Sequence, residues 1–293
     1  MNRLSTGVAG LDEKIGGGLI PGTMTVLTGA SGIGKTQFGL QFLNAGLSQE
    51  GKRGVIFDRT ARGDSQNHAD YAERMFDWKL LEEDPERRFY PDEFFSPGYT
   101  VGDYFGALRG RGKRVTRRDM DPDQWHDWQG LLSRRLDAAI AFLYAQFTRG
   151  ERRVVIDGIE PVAHQGDSVQ FELLEYVYQQ IMLKDPEWVA RDLFRQAYLA
   201  NEAKIRASIY PAKSASALVL YTSPETQLEA MIDKPLDEGD LLASANTIIH
   251  MGKIRDGGRF RRALYVAKHR GSVCPDEIFF YEIDDRGLRL VEG

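Results

Sequence analysis

The segment Gly29–Thr36, GASGIGKT, constrains this chain most strongly because it matches the pattern G-x-x-x-x-G-K-[ST] at every fixed position. Glycines at this spacing let successive backbone N–H groups turn inward around a phosphate, while the lysine and the hydroxyl reach the terminal phosphates and a metal ion. The pattern therefore predicts a nucleoside triphosphate site with Mg²⁺. The predicted nucleotide-binding residues are Gly29, Ala30, Ser31, Gly32, Ile33, Gly34, Lys35, Thr36 and Gln37, and Thr36 is also a predicted metal ligand.

The sequence on both sides of this loop is what a phosphate loop requires. Met24–Thr28 is an apolar, β-branched run of strand length. After the loop, Phe38, Phe42 and Leu43 fall on one helical face, and Gly51 is a suitable end for that helix. A glycine-rich turn could match the pattern by chance, but it would not need a strand before it and a helix after it. The loop is therefore interpreted as a functional centre.

Composition excludes several classes of protein. The chain has 293 residues and a formal net charge of −5, which argues against coating nucleic acid with its whole surface. No apolar run approaches the length that crosses a bilayer, and the N-terminus lacks the apolar core of a signal peptide. The single cysteine, Cys274, cannot form an intramolecular disulfide and suits a reducing compartment. We expect a cytoplasmic protein without a membrane partner.

Two further apolar runs end in side chains that can reach a ligand at the loop. Arg153–Asp157, RVVID, is predicted to be a buried strand, and after a phosphate loop the carboxylate at its end is expected to hold Mg²⁺ through its water shell. Ala217–Tyr221 is predicted to be another strand, and Thr222 directly after it could contact the terminal phosphate. A turn-forming role for Thr222 before Pro224 is an equally good interpretation.

The residues ahead of the first strand resemble a known family. They include Ser5-Thr6-Gly7, Gly10-Leu11-Asp12 and Gly16-Gly17-Gly18, and this order followed by a phosphate loop is similar to the KaiC-like and RadA-like ATPases of the RecA superfamily. The resemblance implies an α/β fold, a RecA-like P-loop NTPase core with a mostly parallel twisted sheet, helices on both faces and a C-terminal antiparallel hairpin region. It also implies bound ATP and Mg²⁺, and a homohexameric ring with nucleotide at the subunit interfaces.

One phosphate loop and no visible internal repeat predict a single domain over residues 1–293. Residues from about 60 to 150 match the family pattern poorly and are predicted to form a helical and loop insertion, in which apolar spacing favours a helix over 131–147. The last third of the chain predicts two hairpins, one around Asp256-Gly257-Gly258 and one across Asp284–Gly287.

The resemblance is weakest at the step of hydrolysis. In the KaiC-like proteins, the strand that matches Gly54–Asp58 ends in two adjacent glutamates that are associated with activating the attacking water. This chain has Asp58 and Arg59 at those positions. Aspartate is one methylene shorter and arginine cannot act as a base. Asp58 is therefore the candidate catalytic base, and hydrolysis is expected to be slow or absent.

A basic motif near the C-terminus, Lys268-His269-Arg270-Gly271-Ser272, is similar to a family motif that acts across a subunit boundary. Its lysine and arginine reach the neighbouring subunit's γ-phosphate, where cations stabilise the charge on the transferring phosphoryl oxygens. The resemblance thus implies that Lys268 and Arg270 join Lys35 and Asp58 as catalytic residues. Without the resemblance, the same two residues would be read as surface charge on an edge hairpin.

Three functions remain open from the sequence: a ring-forming ATPase, a nucleotide-gated scaffold that recruits a protein partner with negligible hydrolysis, and a RecA-like or RadA-like DNA-binding ATPase. The basic run Arg109–Arg118 could meet phosphate, or could be a solvated loop balanced by nearby acids. The segments at about 160–170 and 224–245, where RecA-like proteins contact DNA, are acidic or neutral. The sequence therefore does not favour nucleic acid as a partner.

Overall fold

The computed structural model describes residues 2–60, 68–87, 89–108, 121–159, 174, 176–234 and 244–292, apart from the side chain of Leu132. The basic run Arg109–Arg118 and the loop at 160–170 lie outside these residues. Residues 235–243, which are part of the segment at about 224–245, lie outside them as well. None of the helices in the described part is both long enough and apolar enough to cross a membrane.

A mixed sheet of ten strands runs through the described residues, in the order β10-β9-β8-β7-β1-β6-β5-β2-β4-β3. The strands from β7 to β3 in this order are parallel to their neighbours, and β8, β9 and β10 pair antiparallel. The strand bounds are β1 Met24–Gly29, β2 Val55–Asp58, β3 Glu82–Glu83, β4 Tyr104–Gly106, β5 Arg153–Ile159, β6 Ser216–Thr222, β7 Thr247–Asp256, β8 Arg259–His269, β9 Ile278–Asp284 and β10 Gly287–Val291.

Helices cover both faces of this sheet, which confirms the predicted RecA-like α/β fold class. The described helices are α1 Leu11–Lys14, α2 Lys35–Glu50, α3 His68–Phe76, α4 Pro91–Phe94, α5 Pro122–Thr148, α6 Pro186–Phe194, α7 Tyr198–Ala207 and α8 Leu228–Ile232, with a π-helical segment Tyr176–Met182 and 3₁₀ turns Arg195–Ala197 and Ala212–Ser214. The two faces differ in what they carry: α2 and α3 pack on one face, and α5, α6 and α7 pack on the other.

Alternating side chains along the central strands build both apolar layers. Val26 packs toward α5 and the following residue, Leu27, packs toward α2, while both are fully buried. Val155 and Ile156 in β5 alternate in the same way. Strands that are buried on both faces have continuous apolar sequences. This explains why the core strands could be located from short apolar runs without any polar alternation.

Helix α5 begins nine residues before the predicted start at 131. Asp121 is its N-cap, since its side chain accepts a hydrogen bond from the backbone N–H of Gln124, whose side chain in turn accepts from the N–H of Asp121. Pro122 occupies the first turn, where a missing N–H costs nothing. The sequence DPDQ contained this capping signal, but the apolar spacing used for the prediction begins only later in the helix.

The described part of residues 60–150 contains more sheet than the sequence predicted. Strand β4 pairs with β2, and β3 pairs with β4, both in parallel, so they extend the core sheet at its edge. Strands of two and three residues have no detectable alternation, and this is why they were not predicted. The two C-terminal hairpins, β7–β8 and β9–β10, are present as predicted.

The C-terminal hairpin is attached directly to helix α2. The side chain of Gln41 donates hydrogen bonds to the carbonyls of Gly7 and Leu288, and its oxygen accepts from the N–H of Leu288. A Cβ at Gly287 would lie 2.6 Å from the amide group of Gln41, so only glycine fits beside it. The first and last segments of the chain are thereby held against the helix that follows the phosphate loop.

Candidate functional site

The phosphate loop connects β1 to α2, as the sequence predicted, and its shape depends on glycine. Gly32 and Gly34 have φ values of 75° and 117°, which a side chain would strain. A Cβ at Gly34 would also lie 2.7 Å from the Cδ1 atom of Ile283. The same strand, β9, also holds the loop through a hydrogen bond, because the hydroxyl of Tyr281 donates to the carbonyl of Ile33 at 2.8 Å. Strand β9 therefore supports the loop from outside the motif.

Lys35 is folded back onto this loop. Its Nζ donates hydrogen bonds to the carbonyls of Gly29 and Ala30, both at 2.9 Å, and the side chain is buried. Burial lowers the pKa of Lys35 to about 8, and the nearby carboxylate of Asp157 offsets part of this shift. Phosphate oxygens would be stronger acceptors than these carbonyls and would favour the charged ammonium. The lysine is therefore held next to the place where phosphates are expected.

The remaining predicted residues lie around the same loop. Gly29 and Thr222 are register partners in β1 and β6, and the N–H of Ser223 donates to the carbonyl of Gly29 at 2.9 Å. Thr222 is thus next to the loop at the carboxyl end of its strand, where ligands bind in sheets of this type. The rest of the loop is partly accessible: Ser31 and Gly32 are exposed, and Ala30, Thr36 and Gln37 are half-buried.

Asp58 and Asp157 are brought together at the carboxyl ends of neighbouring strands. They are register partners in β2 and β5 and are only 4% and 1% exposed. The Asp58 carboxylate accepts hydrogen bonds from the N–H and hydroxyl of Thr60 and from the hydroxyl of Tyr104. Burial raises the pKa of Asp58, and the charge of Asp157 adds to this rise, whereas His68 and the hydrogen bonds oppose it.

A histidine that the sequence analysis did not select lies between these two carboxylates. The Nε2 atom of His68 is 3.0 Å from Oδ2 of Asp157, and its Nδ1 atom is 3.8 Å from Oδ2 of Asp58. The imidazole is 3% exposed, and its ring centre is 5.5 Å from that of Tyr104. No local motif marks His68 or Tyr104, because both are ordinary residues within unremarkable segments of sequence. Only the fold places them beside Asp58 and Asp157.

Arg59, at the position of the second family glutamate, is wholly buried. Among the described residues, none forms a hydrogen bond with its guanidinium nitrogens. Burial lowers the pKa of Arg59 to about 9, opposed by the neighbouring charge of Asp58. Its backbone N–H donates to the carbonyl of Asp157 at 3.1 Å, which ties β2 to β5 at the site. The position therefore supplies a buried cation in place of a second acid.

The residues at the loop fit Mg²⁺ by their chemistry. Thr36 offers a hydroxyl at the start of α2 and Asp157 a carboxylate, and both are the oxygen ligands that Mg²⁺ prefers. No group of three or more histidine, cysteine or acidic residues in the described part could hold a metal alone. A magnesium site of this type needs none, because substrate phosphates and water complete its six ligands.

Lys268 and Arg270 lie near the amino-terminal ends of β1 and β7, whereas the phosphate loop of their own chain follows the carboxyl end of β1. Lys268 is the register partner of Ile248, which in turn pairs with Val26, three residues before Gly29. Its backbone is thus about 10 Å from the loop along the strands and about 10 Å across them. His269 anchors this end of β8, since its Nδ1 is 2.8 Å from the hydroxyl of Thr247 and its Nε2 is 3.2 Å from the carbonyl of Ile15. Burial and the charge of Arg270 lower the pKa of Lys268.

Comparisons with known proteins agree with this geometry. Residues 4–91, which include the loop and Asp58, match the family model described as the KaiC ATPase. Over 172 residues the chain is 36% identical to the circadian clock oscillator protein KaiC of Prochlorococcus marinus. The aligned residues make up 58% of this chain and 28% of that protein. The chain is therefore similar to the KaiC ATPases in the part that contains the phosphate loop.

The chain is also similar to two further proteins. It is 47% identical over 56 residues to a UPF0273 protein of Methanopyrus kandleri, covering 19% of this chain and 22% of that one. The solved structure of a KaiC-like protein from Pyrococcus horikoshii matches with a TM-score of 0.53 over 99% of both chains at 16% identity, which supports the fold. The chain spans less than a third of the length of the curated relatives it matches.

Proposed function

We propose that this chain is a slow, Mg²⁺-dependent ATPase that works as a ring, in which each nucleotide lies between two subunits. The observation that carries the proposal is that Asp157 lies between Lys35 of the phosphate loop and Asp58, at the carboxyl ends of the parallel strands. The charge of Asp157 acts on Lys35, and Asp58 and Asp157 are register partners. The family match over residues 4–91 supports ATP as the nucleotide.

In this proposal each residue of the loop region has one task. The N–H groups of the loop and the start of α2 bind the phosphates, and Lys35 exchanges its carbonyl contacts for phosphate oxygens. Thr36 and Asp157 would hold Mg²⁺, which supplies neutralisation of the developing phosphate charge. Thr222, next to Gly29, is placed to contact the terminal phosphate.

Asp58 is the proposed base, and its surroundings explain why turnover should be slow. A carboxylate that has a raised pKa is a better proton acceptor than an ordinary one. However, Thr60 and Tyr104 already donate three hydrogen bonds to it, and a carboxylate has about four acceptor positions. Little capacity is left to orient an attacking water.

The position of Lys268 and Arg270 supports a role in a neighbouring subunit. Near the amino-terminal ends of the central strands, both lie away from the phosphate loop of their own chain. In a head-to-tail ring, this end of β8 in one subunit would face the phosphate loop of the next subunit. The two cations would then stabilise transition-state charge on the neighbour's nucleotide.

Mixing two inactive variants tests this arrangement. Lys268→Ala combined with Arg270→Ala should leave ATP binding close to wild type and remove turnover. Lys35→Ala should also remove turnover, because it loses ATP binding. When the two proteins are mixed and reassembled, part of the turnover should return, because some interfaces combine an intact loop with intact cations. Phosphate release across a series of mixing ratios measures this.

The control for the mixing experiment is Arg259→Ala, which removes an exposed cation at the opposite end of β8. It should retain turnover alone and in mixtures. A mixture of the two inactive proteins that stays inactive, although mass photometry shows mixed assemblies, contradicts the trans role. Full activity of the Lys268→Ala, Arg270→Ala protein contradicts it as well.

A nucleotide-gated scaffold is the second candidate, and the buried Arg59 favours it. With a cation in place of the second glutamate and the acceptor positions of Asp58 largely filled, the chain could bind ATP and assemble without hydrolysing it. A protein partner would then bind the assembled, ATP-bound form of such a protein. The scaffold and the slow ATPase differ only in turnover.

Asp58→Asn separates the two candidates. If Asp58 is the base, the variant should lose turnover by about 10²-fold or more while ATP affinity stays near wild type, because base catalysis typically contributes 10²–10⁴-fold. A sensitive phosphate-release assay on purified, assembled protein measures it. Wild-type release no faster than that of Asp58→Asn would support the scaffold and reject the ATPase.

A further inference from the structure

The buried His68 connects the two acidic residues of the nucleotide site. It is the first residue of α3, and Ala72, one helical turn later, is fully buried on the same side against the apolar layer that contains α2. This packing fixes the start of α3 against the sheet. The imidazole consequently points between the carboxyl ends of β2 and β5, where it lies next to Asp58 and Asp157.

The hydrogen on this imidazole can be assigned from its neighbours. Asp157 is an acceptor when ionised, so the 3.0 Å contact with Nε2 requires a hydrogen on Nε2. The other oxygen of Asp157 accepts from the N–H of Gly158 at 2.6 Å. Each oxygen of Asp157 therefore has one fixed donor and one acceptor position left. The carboxylate is held in one orientation before any ligand arrives.

The same imidazole also affects Asp58 through Tyr104. The rings of His68 and Tyr104 are in tilted contact, and the hydroxyl of Tyr104 donates to Asp58. Asp58 and Asp157 lie side by side on neighbouring strands, and the charge of Asp157 adds to the rise that burial causes in the pKa of Asp58. His68 and Tyr104 together separate and orient them. The group of Asp58, Asp157, Tyr104 and His68 thus connects β2, β5 and β4 to the start of α3.

We propose that His68 is a positioning residue that orients Asp157 for magnesium and keeps it apart from Asp58. The inference rests on the proposed nucleotide function, since it assigns a role to a residue of that same site. Residues that hold a metal-binding carboxylate by a hydrogen bond affect metal affinity strongly, typically by about 10–100-fold when removed. His68 acts through Asp157 and does not need to touch the nucleotide.

The test measures the Mg²⁺ concentration needed for binding of a fluorescent ATP analogue. In His68→Ala, the Mg²⁺ requirement should rise by about tenfold or more, while binding in EDTA stays as in wild type. His68→Gln should restore most of the affinity, because its amide N–H can occupy the place of Nε2. His68→Asn, whose amide reaches only the Nδ1 position, should behave like alanine.

Tyr104→Phe is the matched control. It removes the hydrogen bond to Asp58 but keeps the ring beside the imidazole, so it should leave the Mg²⁺ requirement unchanged. If His68→Ala does not fold, the Mg²⁺ requirements of His68→Asn and His68→Gln are compared in its place to test the role of His68. Chemical denaturation verifies that both of these variants are folded.

Three results would overturn the proposal: an unchanged Mg²⁺ requirement in His68→Ala or His68→Asn, equal losses in His68→Gln and His68→Asn, or a loss in Tyr104→Phe as large as in the His68 variants. A failure of the proposed function looks different, because wild-type protein would then bind no ATP analogue with or without Mg²⁺.

Discussion

Replacing Lys35 with alanine is expected to abolish ATP binding. The ammonium is the buried cation of the phosphate loop, and its present acceptors, the carbonyls of Gly29 and Ala30, lie at the entrance to α2. Charge-assisted hydrogen bonds to two phosphates contribute about 1.5–3 kcal/mol each, so the loss should be about 10²–10⁴-fold in Kd. Isothermal titration calorimetry with ATP and Mg²⁺ measures this.

The control for this variant is Lys79→Ala, which removes an exposed lysine just before β3. It should bind ATP as wild type does. Circular dichroism and thermal denaturation should show that Lys35→Ala remains folded, because its only described hydrogen-bond partners are two loop carbonyls. Undiminished ATP affinity in folded Lys35→Ala would refute the assignment of the loop as a nucleotide site.

Replacing Arg153 with alanine is expected to cause the largest loss of stability among single substitutions outside the nucleotide site. Arg153 is wholly buried at the start of β5. It donates to the carbonyls of Ser5 and Phe42, both at 2.7 Å, and pairs with Glu50 at 2.9 Å. The guanidinium also lies 4.8 Å from the ring centre of Phe42. One side chain thus connects the N-terminal segment, α2 and the central sheet.

Removing one partner of a buried ion pair typically costs about 3–5 kcal/mol, because the other groups stay buried without compensation. Arg153→Ala should therefore lower the free energy of unfolding by about 3–5 kcal/mol in urea denaturation. The matched control is Arg289→Ala, whose partner Glu282 lies 2.6 Å away but whose side chain is 52% exposed. Exposed pairs contribute about 0–1 kcal/mol. Equal losses in the two variants would contradict the structural role of Arg153.

Several parts of the nucleotide site could be predicted from local sequence patterns. The phosphate loop and the carboxyl ends of β2, β5 and β6 were all located in advance, because each depends on residues within one loop or one strand. The capping signal at Asp121 was equally local but was overlooked, since apolar spacing dominated the helix prediction. The short strands β3 and β4 could not be predicted, because they exist only through pairing: β4 pairs with β2, and β3 pairs with β4.

The position of Arg153 could not be predicted from local sequence. An arginine before an apolar strand would ordinarily be assigned to the surface, yet it is fully buried because Glu50 and two carbonyls converge on it. His68 is similar: its partner Asp157 is 89 residues away in the chain. Neither residue type nor spacing carries this information. Such contacts depend on how helices pack on the sheet.

By itself, then, the sequence determined the phosphate loop, the apolar core strands and the acidic strand ends, since short stretches of neighbouring residues specify these features. The tertiary structure alone decided that His68 lies between Asp58 and Asp157, that Arg59 is buried, and that Lys268 and Arg270 lie near the amino-terminal ends of the central strands, away from the loop. The physical reason is that parallel strand order and register, which arise from long-range pairing, set the distances between these side chains.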